Sequence, residues 1–193
     1  MQLETAGGVD VVSSALTKTI NSGESARAQG RYTIECRDAD GNLKWTLEPK
    51  NLVVNQGLQD MNTKYFTGSA YTATWFIGLY GAASSNNPLA TDTAATHPGF
   101  TEIVPYSNAT RPAATFGTAT TADPSVISNS ASPAAFTINA TATVGGAFLI
   151  SNNTKSGTTG VLFSASDFAA PGDRTVASGD TLNVTYTFSL DAA

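Results

Sequence analysis

Gly179-Asp180-Thr181-Leu182-Asn183-Val184-Thr185-Tyr186-Thr187-Phe188-Ser189-Leu190 is the stretch that decides the fold. In an extended chain Leu182, Val184, Tyr186, Phe188 and Leu190 point one way, and Asn183, Thr185, Thr187 and Ser189 the other. Apolar residues at period two, separated mainly by threonine, suit a half-buried strand rather than a helix. Gly179-Asp180 supplies the turn that launches it.

The same alternation recurs upstream. Tyr32, Ile34 and Cys36 alternate with Thr33, Glu35 and Arg37, and the run Asp38-Ala39-Asp40-Gly41-Asn42 then turns the chain. Leu43, Trp45 and Leu47 follow, alternating with Lys44, Thr46 and Glu48, and the whole predicts a β-hairpin. Phe136, Ile138, Ala140, Ala142 and Val144 predict a further strand, continued past Gly145-Gly146 into Ala147-Phe148-Leu149-Ile150. A turn at Asn152 to Gly157 leads to Val161-Leu162-Phe163. The run Thr74 to Tyr80 is apolar on both faces, so it predicts a central strand buried on two sides or covered by a helix. One helix is predicted over 56–66, with Leu58, Met61 and Tyr65 inward, Gln59, Asp60, Asn62 and Lys64 outward, and Gly68 closing it. Between 81 and 135, apolar islands at Phe100, Ile103, Val104, Tyr106 and Phe116 predict short strands joined by long loops. Roughly eight strands and one short α-helix make a mainly-β chain, an antiparallel β-sandwich of jelly-roll-like form, with residues 31–193 as a single domain.

Residues 1–30 read differently. Leu3, Val9, Val11, Val12, Leu16 and Ile20 are apolar but follow no strand or helix period, and Gly7, Gly8, Ser13, Ser14, Ser22, Gly23 and Gly30 punctuate them. This is an extended N-terminal arm. It is either a segment that reaches onto a neighbouring subunit or a terminus that nothing ties down. As contact residues the six apolar side chains are the first candidates, and the loop 81–100 is the second, which a plain solvent-exposed connection explains equally well.

Composition removes several function classes. The 193 residues carry a net charge of −5 with only 13% charged residues, and 28 Thr, 18 Ser and 29 Ala against one Cys and one His. An acidic chain without a Lys/Arg cluster speaks against a nucleic-acid partner. A lone Cys36 allows neither an intramolecular disulfide nor a cysteine-based metal site, and beside Tyr32 and Ile34 it reads as a buried small hydrophobe. No stretch approaches the ~18 apolar residues of a membrane span. Met1 to Ser14 has no basic n-region or apolar h-region, so the expectation is a protein made in the cytoplasm with no membrane partner.

Chemistry-bearing residues are few. His97, in Thr96-His97-Pro98-Gly99, has no Gly-x-Ser-x-Gly elbow to serve and reads as a turn histidine. Asp38, Asp40 and Asn42 resemble the start of a calcium loop, yet the glycine falls at the fourth position and Pro49 stands at the twelfth, where a bidentate Glu is needed. Glu35, Glu48 and Glu102 could form a glycosidase pair only through a spatial separation that sequence does not supply. Trp45, Trp75, Tyr71, Tyr80 and Tyr106 would suit a sugar-stacking platform or, more simply, a core. The expectation is no catalytic residue, no metal, no cofactor and no enzyme activity.

Two segments carry a resemblance: Asn51-Leu52-Val53-Val54-Asn55-Gln56-Gly57-Leu58, leading through the helix to Thr74-Trp75-Phe76-Ile77-Gly78-Leu79, and Val161 to Phe168 with Arg174-Thr175-Val176 and Gly179 to Leu190. Gly99-Phe100-Thr101-Glu102, Tyr106 and Thr110-Arg111-Pro112 fit between them. Together they resemble a family of tailed-bacteriophage virion proteins, head decoration (cement) proteins or tail-fibre-like components. The resemblance implies a non-enzymatic accessory protein on the virion head surface, bound to the major capsid protein and to itself as a homo-dimer or homo-trimer. Alternatives are a tail-fibre, baseplate or other tail-associated protein, and a carbohydrate-binding module, which would require a cluster of exposed Trp or Tyr.

Overall fold

A computed structural model describes residues 25–68, 74–81, 87–168 and 172–192. Twelve strands and one helix make up the described chain: β1 (Ala26–Arg37), β2 (Leu43–Leu47), β3 (Lys50–Val53), α1 (Asn55–Thr67), β4 (Phe76–Tyr80), β5 (Glu102–Ile103), β6 (Ser125–Ser128), β7 (Ala134–Thr137), β8 (Ala142–Val144), β9 (Gly146–Ile150), β10 (Leu162–Asp167), β11 (Arg174–Val176) and β12 (Thr181–Ala192).

The alternating stretch of the sequence analysis is the spine of the first sheet. β12 pairs antiparallel with β1 along its whole length, from Ala26 opposite Ala192 to Arg37 opposite Thr181. β2 flanks the C-terminal end of β1, while β6 and β7 share the far edge of β12. The second sheet runs β3-β10-β9-β4-β5, and β8 pairs with β11 in a small ribbon. Tyr32, Ile34, Leu182, Val184 and Tyr186 of the first sheet meet Ile77, Leu79, Ala147 and Leu149 of the second in one buried cluster. The molecule is therefore a mainly-β antiparallel sandwich, as the alternation predicts.

Three boundaries differ from expectation. β1 begins at Ala26, not at Arg31, so the arm is shorter than residues 1–30. Ala26, Ala28 and Gly30 carry too little apolar bulk to show an alternation by themselves, and the partner strand β12 supplies the pairing. The arm residues Leu3, Val9, Val11, Val12, Leu16 and Ile20 lie outside the described residues. The single strand expected over 136–144 is two: β7 pairs with β12 and β8 with β11, and between them Ile138 forms a bridge to Tyr106. Finally, Lys50–Val53 is a strand that four residues without clear alternation did not signal.

β4 is buried on both faces. Ile77 and Leu79 face the core between the sheets, whereas Tyr80 joins a second cluster with Phe100, Phe148, Ile150, Leu162 and Ala165. The cover over that second face is the loop after residue 87, not the helix. Phe100 of this loop packs on Tyr80 (ring centroids 4.7 Å apart) and on Phe148 (5.5 Å).

The helix is placed as expected, but its buried face is not. Gly57 is its one buried residue, and Met61 is half-buried against the core, while Leu58 is 39% and Tyr65 83% exposed. A Cβ on Gly57 would stand 2.5 Å from the Phe163 carbonyl oxygen, so the helix lies directly against the β10 backbone. That close approach turns the contact line onto Gly57 and Met61, i and i+4, and swings Leu58 and Tyr65 outward. No side chain caps the helix start. Instead Val54 N–H donates to the Phe163 carbonyl (3.0 Å), and Asn55 N–H to that of Ala90 (2.8 Å). Gly68 closes the helix in the left-handed conformation, φ 65°.

Candidate functional site

An apolar groove at one end of the sandwich is the most distinctive surface of the described residues. By register Gly30 lies opposite Phe188 and Ala28 opposite Leu190, so small β1 residues stand beside large ones on β12. Ala26, Phe188 and Leu190 form one wall. The opposite wall is the second half of α1, with Met61, Tyr65 and Phe66. Trp75, Phe163 and Leu149 close the bottom, and the cavity measures about 960 Å³. Leu190 is half covered, whereas Tyr65 and Phe66 stand at the rim 83% and 78% exposed, their rings edge-to-face at 5.0 Å. Monomeric surfaces that leave several large apolar side chains in water beside a cavity mark a place where something binds.

The lining residues come from widely separated parts of the chain, and Phe188 and Leu190 belong to the alternating face of β12. Sequence reasoning placed those two correctly on the inward face. It had no means to see that Phe163 of the second sheet packs edge-to-face on Phe188 (5.4 Å).

The loop 87–101 is not a free connection. Asn87 N–H donates to the Gly99 carbonyl (2.8 Å), and the buried Asp92 carboxylate accepts from Leu89 N–H (2.9 Å). Gln56 Oε1 accepts from both Ala94 N–H (3.0 Å) and Leu162 N–H (2.8 Å), tying loop, helix and β10 together. His97 Nδ1 lies 3.0 Å from the Phe100 carbonyl oxygen, and its ring stacks on Phe100 at 4.4 Å. The imidazole is thus engaged within its own turn. Residues 82–86 lie outside the described residues.

Glu102 and Arg111 form the most buried ion pair, their side chains 5% and 2% exposed. Arg111 Nε and Nη2 reach the two carboxylate oxygens at 2.9 and 2.7 Å. Arg111 also donates to the carbonyls of Asn152 (2.8 Å) and Gly157 (3.0 Å), and Ser156 N–H donates to Glu102 Oε2 (2.6 Å). This bidentate geometry ties β5, the segment around Arg111 and the β9–β10 loop together at one edge of the second sheet. It offers no open carboxylate for chemistry.

At the other edge of the first sheet, Lys44 Nζ reaches Asp180 Oδ2 at 2.6 Å. Burial works against the charged form of Asp180, but the hydrogen bonds from Ala177 N–H and Lys44 outweigh it and hold the carboxyl below the usual range. Cys36, fully buried as expected, points its Sγ at the same carboxylate (3.7 Å), and burial, with Asp180 beside it, pushes the thiol up to about 11.

The acidic turn behaves as a turn. Asp38 Oδ1 accepts from Asp40 N–H (3.0 Å) and Asn42 N–H (2.8 Å), and Oδ2 accepts from Asn42 Nδ2 (3.1 Å). Among the described residues no cluster of three His, Cys, Asp or Glu side chains could hold a metal ion. Of the aromatics, Trp75, Tyr80 and Tyr106 are buried, Trp45 is half-buried against Phe168, and Tyr71 lies outside the described residues. Glu35 pairs with Arg37 (3.2 Å) and Glu48 with Arg31 (3.5 Å), both at the surface. Among the described residues no helix is long and apolar enough to cross a membrane.

No protein-family model matches the chain, and no curated protein or solved structure matches it either.

Proposed function

We propose that this protein is a non-enzymatic decoration (cement) protein of a tailed-phage head, binding the outside of the shell and bridging neighbouring major capsid subunits. The observation that carries the reading is the placement of the residues that bear the family resemblance. Asn51 to Leu58 forms most of β3 and the start of α1, Thr74 to Leu79 most of β4, and Val161 to Phe168 contains β10. β3, β10 and β4 lie in the same sheet, joined through β9. Glu102 and Arg111, from the two shorter matching stretches, meet in the buried ion pair. The remaining matching stretches, Arg174–Val176 and Gly179–Leu190, fall in β11 and β12, so the resembling segments extend over the ribbon and the first sheet as well.

The surface supports the same reading. The outer face of the β1–β12 ladder pairs Thr33 with Thr185, Arg31 with Thr187 and Arg27 with Asp191, a polar face that mixes threonines with charges of both signs. Such a face suits a broad contact repeated over a lattice. A protein that binds assembled shell and not free subunits adds its binding free energy to the assembled state alone. Self-association about a local symmetry axis, as dimer or trimer, multiplies each weak contact. In this reading the arm residues Leu3, Val9, Val11, Val12, Leu16 and Ile20 make the contact to the neighbouring subunit.

Deletion of residues 2–24 tests that role. Shells lacking the protein, mixed with the truncated chain, are expected to bind fewer copies than with the full chain. Full occupancy by the truncated protein removes the arm from the contact.

A further inference from the structure

The geometry points to the Asp40–Gly41 bond as the chain's site of spontaneous backbone isomerisation, with the Asp38 carboxylate as the restraint on it. Asp-Gly occurs once in the 193 residues and Asn-Gly not at all. A glycine after an aspartate leaves its backbone nitrogen unshielded by a side chain of its own. The fold does not shield it either: a Cβ built on Gly41 would meet nothing within 4 Å. Asp40 is exposed, and among the described residues no hydrogen bond or ion pair engages its carboxylate. Gly41 holds φ at 85°, where a residue with a side chain is strained, so the turn keeps its glycine and with it the reactive dipeptide.

In the reaction the Gly41 nitrogen attacks Cγ of the protonated Asp40 carboxyl, whose hydroxyl leaves with the amide hydrogen as water, and a succinimide ring closes. Water then adds back to the ring. Opening at the α-carbonyl leaves the main chain running through the Asp40 side-chain carbonyl, with no net change in mass and one extra backbone atom. That atom lengthens a turn whose ends are fixed by Asp38 N–H donating to the Asn42 carbonyl (2.9 Å). Ring closure also requires the Asp40–Gly41 peptide plane to rotate toward the Asp40 side chain, and Asp38 holds the backbone on both sides of that plane. Its Oδ1 accepts from Asp40 N–H (3.0 Å) and Asn42 N–H (2.8 Å), and its Oδ2 from Asn42 Nδ2 (3.1 Å). Its carbonyl accepts from Gly41 N–H itself (3.0 Å). Such local bonds from an aspartate side chain lock one backbone conformation against its competitors.

The test ages the full chain at neutral pH beside the free peptide Asp38–Lys44, the fragment that trypsin releases between Arg37 and Lys44. Isoaspartate is read as methyl transfer by an isoaspartyl methyltransferase and located by mass spectrometry of the digest. The expected product lies in that fragment at unchanged mass and forms several-fold more slowly in the protein than in the free peptide. Asp38→Ala should bring the protein's rate toward the peptide's. Asp38→Asn, which keeps Oδ1 for the two backbone N–H groups, should stay near the wild type, and Asp40→Glu, whose longer side chain cannot close the succinimide, should remove the product. Cys36 is fully buried, so its protection from a thiol reagent shows that each variant is folded. The comparison of wild type with peptide needs no variant. Isoaspartate mainly in another fragment overturns the site, and a wild-type rate equal to that of the peptide or of Asp38→Ala overturns the restraint.

Discussion

At the scale of single residues, burial decides what a charge can do. Arg111 is buried because Glu102 matches its charge on two atoms and the Asn152 and Gly157 carbonyls accept further N–H groups. Its guanidinium also lies over the Phe148 ring, 5.3 Å from the centroid. Removing the cation alone leaves Glu102 buried with its charge unmatched, which typically costs about 3–5 kcal/mol. Arg111→Met is therefore expected to lower the melting temperature by roughly 6–20 °C, at the 2–4 °C per kcal/mol usual for a chain of this size. Adding Glu102→Leu should recover part of that loss, as thermal denaturation of the single and double variants will reveal. Neither residue stood out in the sequence as a partner of the other, because the pairing is made where the chain after β5 folds back to bring Arg111 onto Glu102.

Asp180 carries a pH dependence of definite sign. Its folded carboxyl titrates below the unfolded value, so its contribution to stability is present above the unfolded pKa of about 3.9 and is lost as pH falls through the lower folded value. Urea midpoints of the wild type should fall between pH 5 and pH 3 more steeply than those of Asp180→Asn. Equal slopes would place the acid sensitivity elsewhere.

At the scale of elements, β12 was legible from its alternation, and so was the β1–β2 hairpin, because one face of each is buried and the other wet. The helix was legible in position only. Leu58, Met61 and Tyr65 mimic an amphipathic face, but packing is set by Gly57, whose missing side chain lets α1 lie on the β10 backbone. A glycine inside a helix was the available signal. In isolation Gly57→Ala would favour the helix by about 1 kcal/mol. Here a Cβ would meet Phe163 backbone atoms at 2.5–3.1 Å, so the substitution is expected to destabilise the protein. Chemical denaturation reads the sign directly, and a stabilised Gly57→Ala would mean that the helix is free to move off the sheet.

The strand missed at Lys50–Val53 and the break after Thr137 share a cause. Both depend on which neighbour offers a free edge: β10 takes up β3, and Tyr106 intercepts the chain at Ile138. Local pattern reports which face a residue prefers and is silent on which strand lies beside it.

At the scale of the whole molecule, α1 and the ends of β1 and β12 enclose an apolar groove, and the outer face of the first sheet mixes threonines with charged side chains. Nothing in the linear pattern predicts the groove, since its walls come from β1, α1, β12 and the segment around Trp75, brought together only by the fold. The most direct test of the shell-binding account is to titrate the purified protein onto shells assembled without it, counting bound copies per particle and comparing particle survival on heating. The account predicts saturation at a copy number set by the shell lattice, with a gain in heat resistance. Binding of a few copies confined to tails, or no binding to shells at all, would contradict it.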